Sequence, residues 1–392
     1  MKGTKMNGPS RRILLITRNL PPLVGGMESL LLRCVDALEA EYAVTVVGPK
    51  GCSAYLNDSV EVVELPSGLV GFVLLSPFYA LWLAWLKNPC LVFGGSGLTA
   101  LACAAARKLS KAPTVCYVHG LDVVAENWIY QNLFVRCLRS FEGIIVNSKN
   151  TLRLCVHAGI AEQKTTLVHP GCELPIEVDR VRARNECIDE LTGIDGFILL
   201  FVGRIARRKG LLPFIQNVFP ELLRRRPETI LVIAGDSPEE SLSHRSDELH
   251  QIFNEIKVRG WEQKIKFLGK VDDATLAVCY AAADCLILPL VPVAGDVEGF
   301  GMVAIEAAAY GTPTVAFSEG GVSDAVAHGV SGYLVESGNY AAMLEVLTNL
   351  RAENLPAMAC REHAGRFGWT VFNENFVSAV NQIIQGRSSD AA

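Results

Sequence analysis

Two glutamates, Glu298 and Glu306, stand eight positions apart in DVEGFGMVAIEAAAYGTPTVAF, residues 296–317. Between them lie the turn Gly299-Phe300-Gly301 and a run of strong helix formers from Met302 onward. At about 3.6 residues per turn, both carboxylates fall near one face, Glu298 at the mouth of a helix and Glu306 inside it. Ionised carboxylates accept paired hydrogen bonds from neighbouring hydroxyls, the chemistry by which proteins read sugars and riboses. The N–H groups at a helix start, and the positive end of its dipole, favour a phosphate in front of Glu298. Two hydroxyl readers around an anion reader fit a nucleotide-sugar site.

FVGRIARRKG (201–210) supplies the complementary charge. Arg204 and Lys209 follow the end of an apolar run, in a loop that leads into a helix. A diphosphate leaving group gains negative charge as its bond to the sugar breaks, and fixed cations there stabilise the transition state more than the ground state. Arg204 offers a planar fork and Lys209 a point charge. Arg207 and Arg208, as members of a charge run, are expected to be solvated. LPPLVGGME (20–28) follows the first apolar run, and Gly25-Gly26 allows a close backbone approach to phosphate or acceptor. YVHGLD (117–122) ends another with His119 and Asp122, placed to touch the reacting sugar and an acceptor hydroxyl respectively.

The elements that must position these residues are legible as alternating apolar runs and amphipathic helices. RRILLIT (11–17), YAVTVVG (42–48), VEVVEL (60–65), CLVFGG (90–95), TVCYVHG (114–120), GIIVNS (143–148) and TTLVHPG (165–171) read as strands of a first parallel α/β unit. FILLFVGR (197–204), TILVIAGD (229–236), KIKFLGK (264–270), DCLILPL (284–290) and TPTVAF (312–317) read as strands of a second. The polar stretch 173–195 reads as the link between them. The expected domains are 1–175, 176–369, and a helix in 370–392 that crosses back onto the first. The fold class is therefore α/β, two tandem Rossmann-like, doubly wound parallel-sheet domains facing across a cleft. Ligands bind beyond the carboxyl ends of such strands.

Composition narrows the partners. Of 392 residues half are hydrophobic and 20% charged, and the formal net charge is -5, so no basic balance points to nucleic acid. The twelve cysteines are scattered singly, with no CxxC pair, which predicts no structural zinc and a reducing cytoplasm. The basic N-terminus carries the apolar run ILLI, too short for a signal peptide.

The motifs GGME, VHGLD, VNSK, HPG, FVGRIARRKG, IAGD, FLGKV and EGFGMVAIEAAAYGTP, in this order, resemble glycosyltransferase family 4, retaining enzymes of the GT-B fold. The resemblance implies that Arg204 and Lys209 hold the donor diphosphate, with Gly25 and Gly26 near the phosphates. Glu298 and the backbone of Gly299, Phe300, Gly301 and Met302 would hold the donor sugar, Glu306 the ribose, and the backbone around Val271 the nucleobase. His119 would lie near the anomeric carbon. It implies a UDP- or GDP-sugar as substrate, no cofactor and no metal, and a departing phosphate that itself accepts the acceptor's proton. Two departures stand out: Gly235-Asp236-Ser237-Pro238 lacks the family's second glycine, so nothing is carried over there, and HPGCE carries cysteine where valine before an acid is usual, which puts contacts at Gly171 in question.

Three other readings compete. Gly95-Ser96-Gly97-Leu98-Thr99-Ala100 is a G-x-G-x-x-A dinucleotide fingerprint, but the next strand ends in His119 rather than an acid. Asp296-Val297-Glu298 looks like a D-x-D-type metal pair, yet two acids alone seldom complete a magnesium site. A non-catalytic binding protein on the same fold is the third. Finally, LVGFVLLSPFYALWLAWL (69–86) is uncharged. Ser76-Pro77 reads as a cap and first helical position, splitting it into a loop and a helix at about 77–87. Phe78, Tyr79, Trp82 and Trp85 are then either core or a surface resting on a membrane. The second option inclines the acceptor towards a lipid-linked glycan, such as a bacterial envelope precursor, at the inner face of the plasma membrane.

Overall fold

The computed structural model describes residues 11–193, 195–235 and 247–390. The basic start of the chain, and Asp236, Ser237 and Pro238, lie outside the described residues. The chain divides into two units, Met1–Gly171 with Trp369–Ala392, and Cys172–Gly368.

The first unit is built on β1 (Arg12–Ile16), β2 (Ala43–Pro49), β3 (Glu61–Leu65), β4 (Leu91–Gly94), β5 (Thr114–Val118), β6 (Gly143–Val146) and β7 (Thr165–Leu167). They pair in parallel in the order β3-β2-β1-β4-β5-β6-β7. Chain order reverses between β1 and β4, where Ile13 lies opposite Leu91 and Ile16 opposite Gly94. Side chains alternate across the sheet: Ile13 and Leu15 enter one core with α1 (Gly26–Glu39), Leu14 and Ile16 the other with α2 (Leu69–Lys87) and α3 (Ala100–Ser110). Helices on both faces explain why these strands are unbroken apolar runs. The Trp369–Asp390 helix adds Phe372, Phe376, Ala379 and Val380 to the α1 side. Phe376 is fully buried, stacked on Phe372 at 5.5 Å and edge-on to Phe93 at 5.5 Å.

The second unit repeats the plan with β8 (Phe197–Val202), β9 (Thr229–Ala234), β10 (Ile265–Gly269), β11 (Cys285–Leu288), β12 (Thr314–Phe317) and β13 (Gly332–Val335). The order is β10-β9-β8-β11-β12-β13, again parallel, with the reversal between β8 and β11. The Met302–Ala309 helix joins β11 to β12.

Three local expectations are corrected. Strand β13 is absent from the sequence reading because GYLV is short and only half apolar-buried; its pairing with β12 defines it, and a side chain at Gly332 would strike the Thr314 carbonyl. The polar stretch 173–195 is not a bare link. It holds the Arg180–Glu186 helix, capped by Asp179, and Arg184 pairs with Asp284 at 2.8 Å within the second unit.

The third correction concerns 69–86. No loop precedes Pro77: α2 runs unbroken through it. Proline removes one helical hydrogen bond, but Phe72 and Ser76 before it and Ala80, Leu83 and Ala84 after it are all buried on one face, which holds both halves in line. The aromatics are not core. Phe78 is 71% and Trp85 69% exposed, on an outward ridge with Val70, Leu74 and Trp82. Ala80 and Ala84 seat the helix closely, Phe72 and Leu83 fill the core beside them, and the remaining bulky residues point away. By length and composition Leu69–Lys87 is long and apolar enough to cross a membrane, although its inner face is packed on the sheet.

Removing a fully buried phenyl ring costs about 3–5 kcal/mol. Phe376→Ala should therefore lower the stability of the first unit by that amount in urea unfolding. A loss under about 1 kcal/mol would mean that the last helix does not complete this core.

Candidate active site

The candidate residues of the second unit gather at the carboxyl ends of β8 and β11, where chain order reverses and ligands bind in such sheets. After β8 the chain turns through the short helical turn Arg207–Lys209. This buries Lys209 and leaves Arg204 exposed. After β11 it reaches Glu298. Lys209 Nζ donates to Glu298 Oε2 at 2.6 Å. Arg208 also donates to Glu298 Oε2, and its Nε lies 3.1 Å from Asp296 Oδ1. Arg208 is thus not solvated, as a charge run would predict. Its side chain is 13% exposed and sits between two carboxylates. The charges alternate along Asp296, Arg208, Glu298 and Lys209.

Burial works against every ion here. Alone it would raise the carboxyl of Glu298, but Lys209 and Arg208 outweigh it and hold the group at about 2, against an ordinary 4.5. Burial, with repulsion from Arg208 and Arg204, pulls the Lys209 ammonium below its ordinary 10.5, and Glu298 opposes that pull. At neutral pH the site therefore holds an ionised carboxylate beside fixed cations. Asp296 and Glu298 are both committed to Arg208, so the pair does not read as an open metal site. Among the described residues no group of three or more His, Cys, Asp or Glu could hold a metal ion.

The turn after Glu298 is shaped by backbone crowding. Gly301 has φ +89°, and a Cβ there would lie 2.8 Å from Val322 Cγ2. Gly321 N donates to the Glu298 carbonyl at 2.8 Å, and a Cβ on Gly321 would strike the Gly299 carbonyl. The Ser318-Glu319-Gly320-Gly321 loop after β12 therefore cradles the Glu298-Gly299 backbone. Phe300 is buried against Phe367 at 5.7 Å, so only its backbone can serve a ligand. Met302 opens the Met302–Ala309 helix, whose first N–H groups lack intrahelical partners. One turn on, Glu306 Oε2 accepts from the Tyr280 hydroxyl at 2.7 Å. Val271 follows β10, partly buried against the same core.

In the first unit the reversal point lies between β1 and β4. Gly25 and Gly26 are exposed at the start of α1, after β1. His119 follows β5 and is 5% exposed. Its Nε2 lies 2.9 Å from the Gly95 carbonyl after β4. A carbonyl only accepts, so Nε2 carries the proton, and in the neutral ring the lone pair is on Nδ1. Asp122 Oδ2 accepts from the His119 backbone N–H at 2.8 Å, closing the turn that aims the imidazole. The G-x-G-x-x-A fingerprint is taken up internally. A Cβ on Gly97 would lie 2.6 Å from the Tyr130 hydroxyl and 2.9 Å from Asp122 Cβ, so its space is filled by side chains rather than open to a pyrophosphate.

The sequence reading missed Arg208, Tyr280 and the Gly320-Gly321 cradle. Arg208 was hidden in a run of cations, and its signal was the pair of acids at 296 and 298. The Gly320-Gly321 pair lies just past the strand at 312–317, and its contact with Glu298 and Gly299 exists only in the fold. Nothing in the sequence pairs Tyr280 with Glu306.

The chain matches Glycosyltransferase Family 4 over residues 24–174 and Glycosyl transferases group 1 over residues 189–366. It is 31% identical over 241 residues to D-inositol 3-phosphate glycosyltransferase 1 of Catenulispora acidiphila, over 58% of this chain and 54% of that protein. It is 36% identical over 149 residues to mannosylfructose-phosphate synthase of Agrobacterium fabrum, over 38% of this chain and 31% of that protein. The chain spans about half the length of the first of these relatives, and less of the second. Among solved structures, HepE of Anabaena in complex with UDP superposes with a TM-score of 0.77 at 20% identity, covering 95% of this chain and 100% of that one. Sucrose-phosphate synthase of Thermosynechococcus elongatus gives a TM-score of 0.77 at 21% identity, covering 96% and 100%. The fold is GT-B. With both matches, the chain is related to Glycosyltransferase Family 4 and to Glycosyl transferases group 1.

A carboxyl whose pKa is lowered by folding stabilises the fold above its ordinary 4.5, and that contribution is lost as pH falls from there towards 2. The size for Glu298 is on the order of 3 kcal/mol. Glu298→Gln should therefore flatten the decline of the second unit's urea midpoint between about pH 5 and pH 2. A decline as steep as in the parent would mean that the cations do not hold this carboxylate.

Proposed function

We propose that this protein is a metal-independent, retaining glycosyltransferase that moves a sugar from a nucleoside-diphosphate sugar to a glycan or lipid-linked acceptor. The observation that carries the reading is Glu298 held between Lys209 and Arg208 at the reversal point of the second sheet. In this reading Lys209 and Arg204 take the diphosphate and stabilise its growing charge as the glycosidic bond breaks. Arg208 keeps Glu298 ionised and placed for sugar hydroxyls when the diphosphate engages Lys209. The backbone of Gly299, Phe300, Gly301 and Met302 borders the sugar, Glu306 takes the ribose, and the backbone at Val271 meets the base. Gly25 and Gly26 approach the phosphates, His119 contacts the reacting sugar, and Asp122, which fixes the His119 turn, serves the acceptor side. No side chain is assigned as a covalent nucleophile; positioning and charge stabilisation supply the catalysis.

UDP is the first donor nucleotide to test, because HepE of Anabaena is described in complexes with UDP and with UDP-glucose. The exposed ridge of α2 supports an acceptor presented at a membrane, such as a bacterial envelope glycan precursor, with the enzyme on the cytoplasmic face. A lipopolysaccharide outer core galactosyltransferase, WaaB, shares the fold with a TM-score of 0.72 at 18% identity.

Lys209→Ala and Glu298→Ala should each lower transfer by at least about 100-fold, with circular dichroism unchanged. Near-normal kcat in either would remove the donor-site assignment. UDP or GDP should raise the thermal midpoint with or without EDTA; a shift only with NAD would favour the dinucleotide reading, and dependence on a divalent ion would favour the metal reading. The protein should co-sediment with anionic liposomes, and Trp82→Ser with Trp85→Ser should abolish this. Equal pelleting of parent and double variant would detach α2 from membrane contact.

A further inference from the structure

Tyr280 lies on the Asp273–Ala282 helix and is buried. Its hydroxyl donates to Glu306 Oε2 at 2.7 Å, and Glu306 Oε1 makes no hydrogen bond among the described residues. The tyrosine is held at its other end as well. Thr312 Oγ1 donates to the Tyr280 carbonyl at 2.5 Å, and Arg180 Nη1 donates to Thr312 Oγ1 at 2.8 Å. Arg180 Nη2 also donates to the Ala283 carbonyl at 2.8 Å, so the brace grips both the helix end and the loop before β12. The Tyr310 ring stacks on Tyr280 at 5.9 Å and 22°.

The terminal torsion of a glutamate is broad and roughly two-fold, so an unrestrained carboxylate presents either oxygen at a range of angles. A buried hydroxyl bonded to one oxygen removes that freedom. We propose that Tyr280 is a positioning residue that fixes the carboxylate plane of Glu306, presents Oε1 to the ribose hydroxyls, and thereby sets the preference for ribonucleotides over deoxyribonucleotides. The inference rests on the reading that Glu306 takes the ribose. Sites built to bond a hydroxyl reject analogues that lack it, because the site's polar group is then left unpaired.

The same contact governs when Glu306 is charged. Burial raises its carboxyl above the ordinary 4.5, the Tyr280 hydroxyl pulls it back, Asp273 raises it and Lys209 lowers it. Tyr310 and Cys172 also face it. Loss of the Tyr280 hydroxyl leaves burial and Asp273 opposed by Lys209 alone, so the carboxyl titrates at higher pH. Because ribose hydroxyls donate best to the ionised form, the acid limb of nucleotide binding moves up with it.

The test is calorimetric binding of UDP, 2′-deoxy-UDP and 3′-deoxy-UDP, with the GDP series in parallel, between pH 5 and pH 8. It compares the parent, Tyr280→Phe, Glu306→Gln and the double variant. The phenylalanine keeps the ring against Tyr310, and an unchanged thermal midpoint checks that the fold survives. The parent should prefer one ribo form over its deoxy form by about tenfold or more. Tyr280→Phe should cut that preference to about threefold and move the acid limb upward. Glu306→Gln should abolish both effects, and the double variant should add nothing to it. If Tyr280→Phe keeps the parent's preference and pH profile while Glu306→Gln loses the preference, the tyrosine is only structural and the inference falls. If Glu306→Gln itself leaves the preference unchanged, the ribose reading falls and takes this inference with it.

Discussion

A carboxylate withdrawn from water beside two cations is the constraint around which the second unit is arranged. Glu298 could not remain ionised there alone, because desolvating a charge costs several kcal/mol. Lys209 and Arg208 offset that cost, and Asp296 in turn holds Arg208. Each ion is tolerable only because its neighbours are fixed, so the loop after β8 and the loop after β11 have to meet at one spot. The sheet order delivers this. β8 and β11 are adjacent, and their connections leave in opposite directions, opening space at their shared carboxyl end.

The backbone around that spot is crowded to the point where side chains are excluded. The Gly320-Gly321 loop closes on Glu298 and Gly299, and Gly301 takes a left-handed conformation against Val322. The crowding fixes the backbone at the mouth of the Met302–Ala309 helix. Behind Glu306 a second brace runs from Arg180 through Thr312 to Tyr280. The residues proposed to face a ligand are few, and a larger number of neighbours hold them in place. The first unit repeats this economy on a smaller scale. The Gly95 carbonyl and Asp122 between them fix the ring and the backbone of His119.

The α2 helix follows a different logic. Its inner face sets the small Ser76, Ala80 and Ala84 between the buried Phe72 and Leu83, and its outer face carries Phe78, Trp82 and Trp85. An outward apolar ridge of this kind is what the proposed membrane contact would use.

The sequence by itself determined every strand of the two parallel sheets but β13, because strands covered on both faces must be continuous apolar runs, and these stand out from amphipathic helices. It also determined the residue types of the site: EGFG with a second glutamate two turns on, and an arginine and a lysine after a strand. What it could not determine was which charges meet. Arg208 and Lys209 are adjacent in the chain and equally cationic, and the burial of both was set by the distant Glu298 and Asp296. Tyr280 and Glu306 are 26 residues apart on different helices, and only packing brings hydroxyl to carboxylate. The inward or outward direction of the α2 aromatics was likewise open, since an all-apolar helix carries no periodic signal of which face is buried. Local sequence specifies elements through propensity and pattern. Pair energies between distant groups, and the desolvation that makes them matter, exist only once the chain has closed around them.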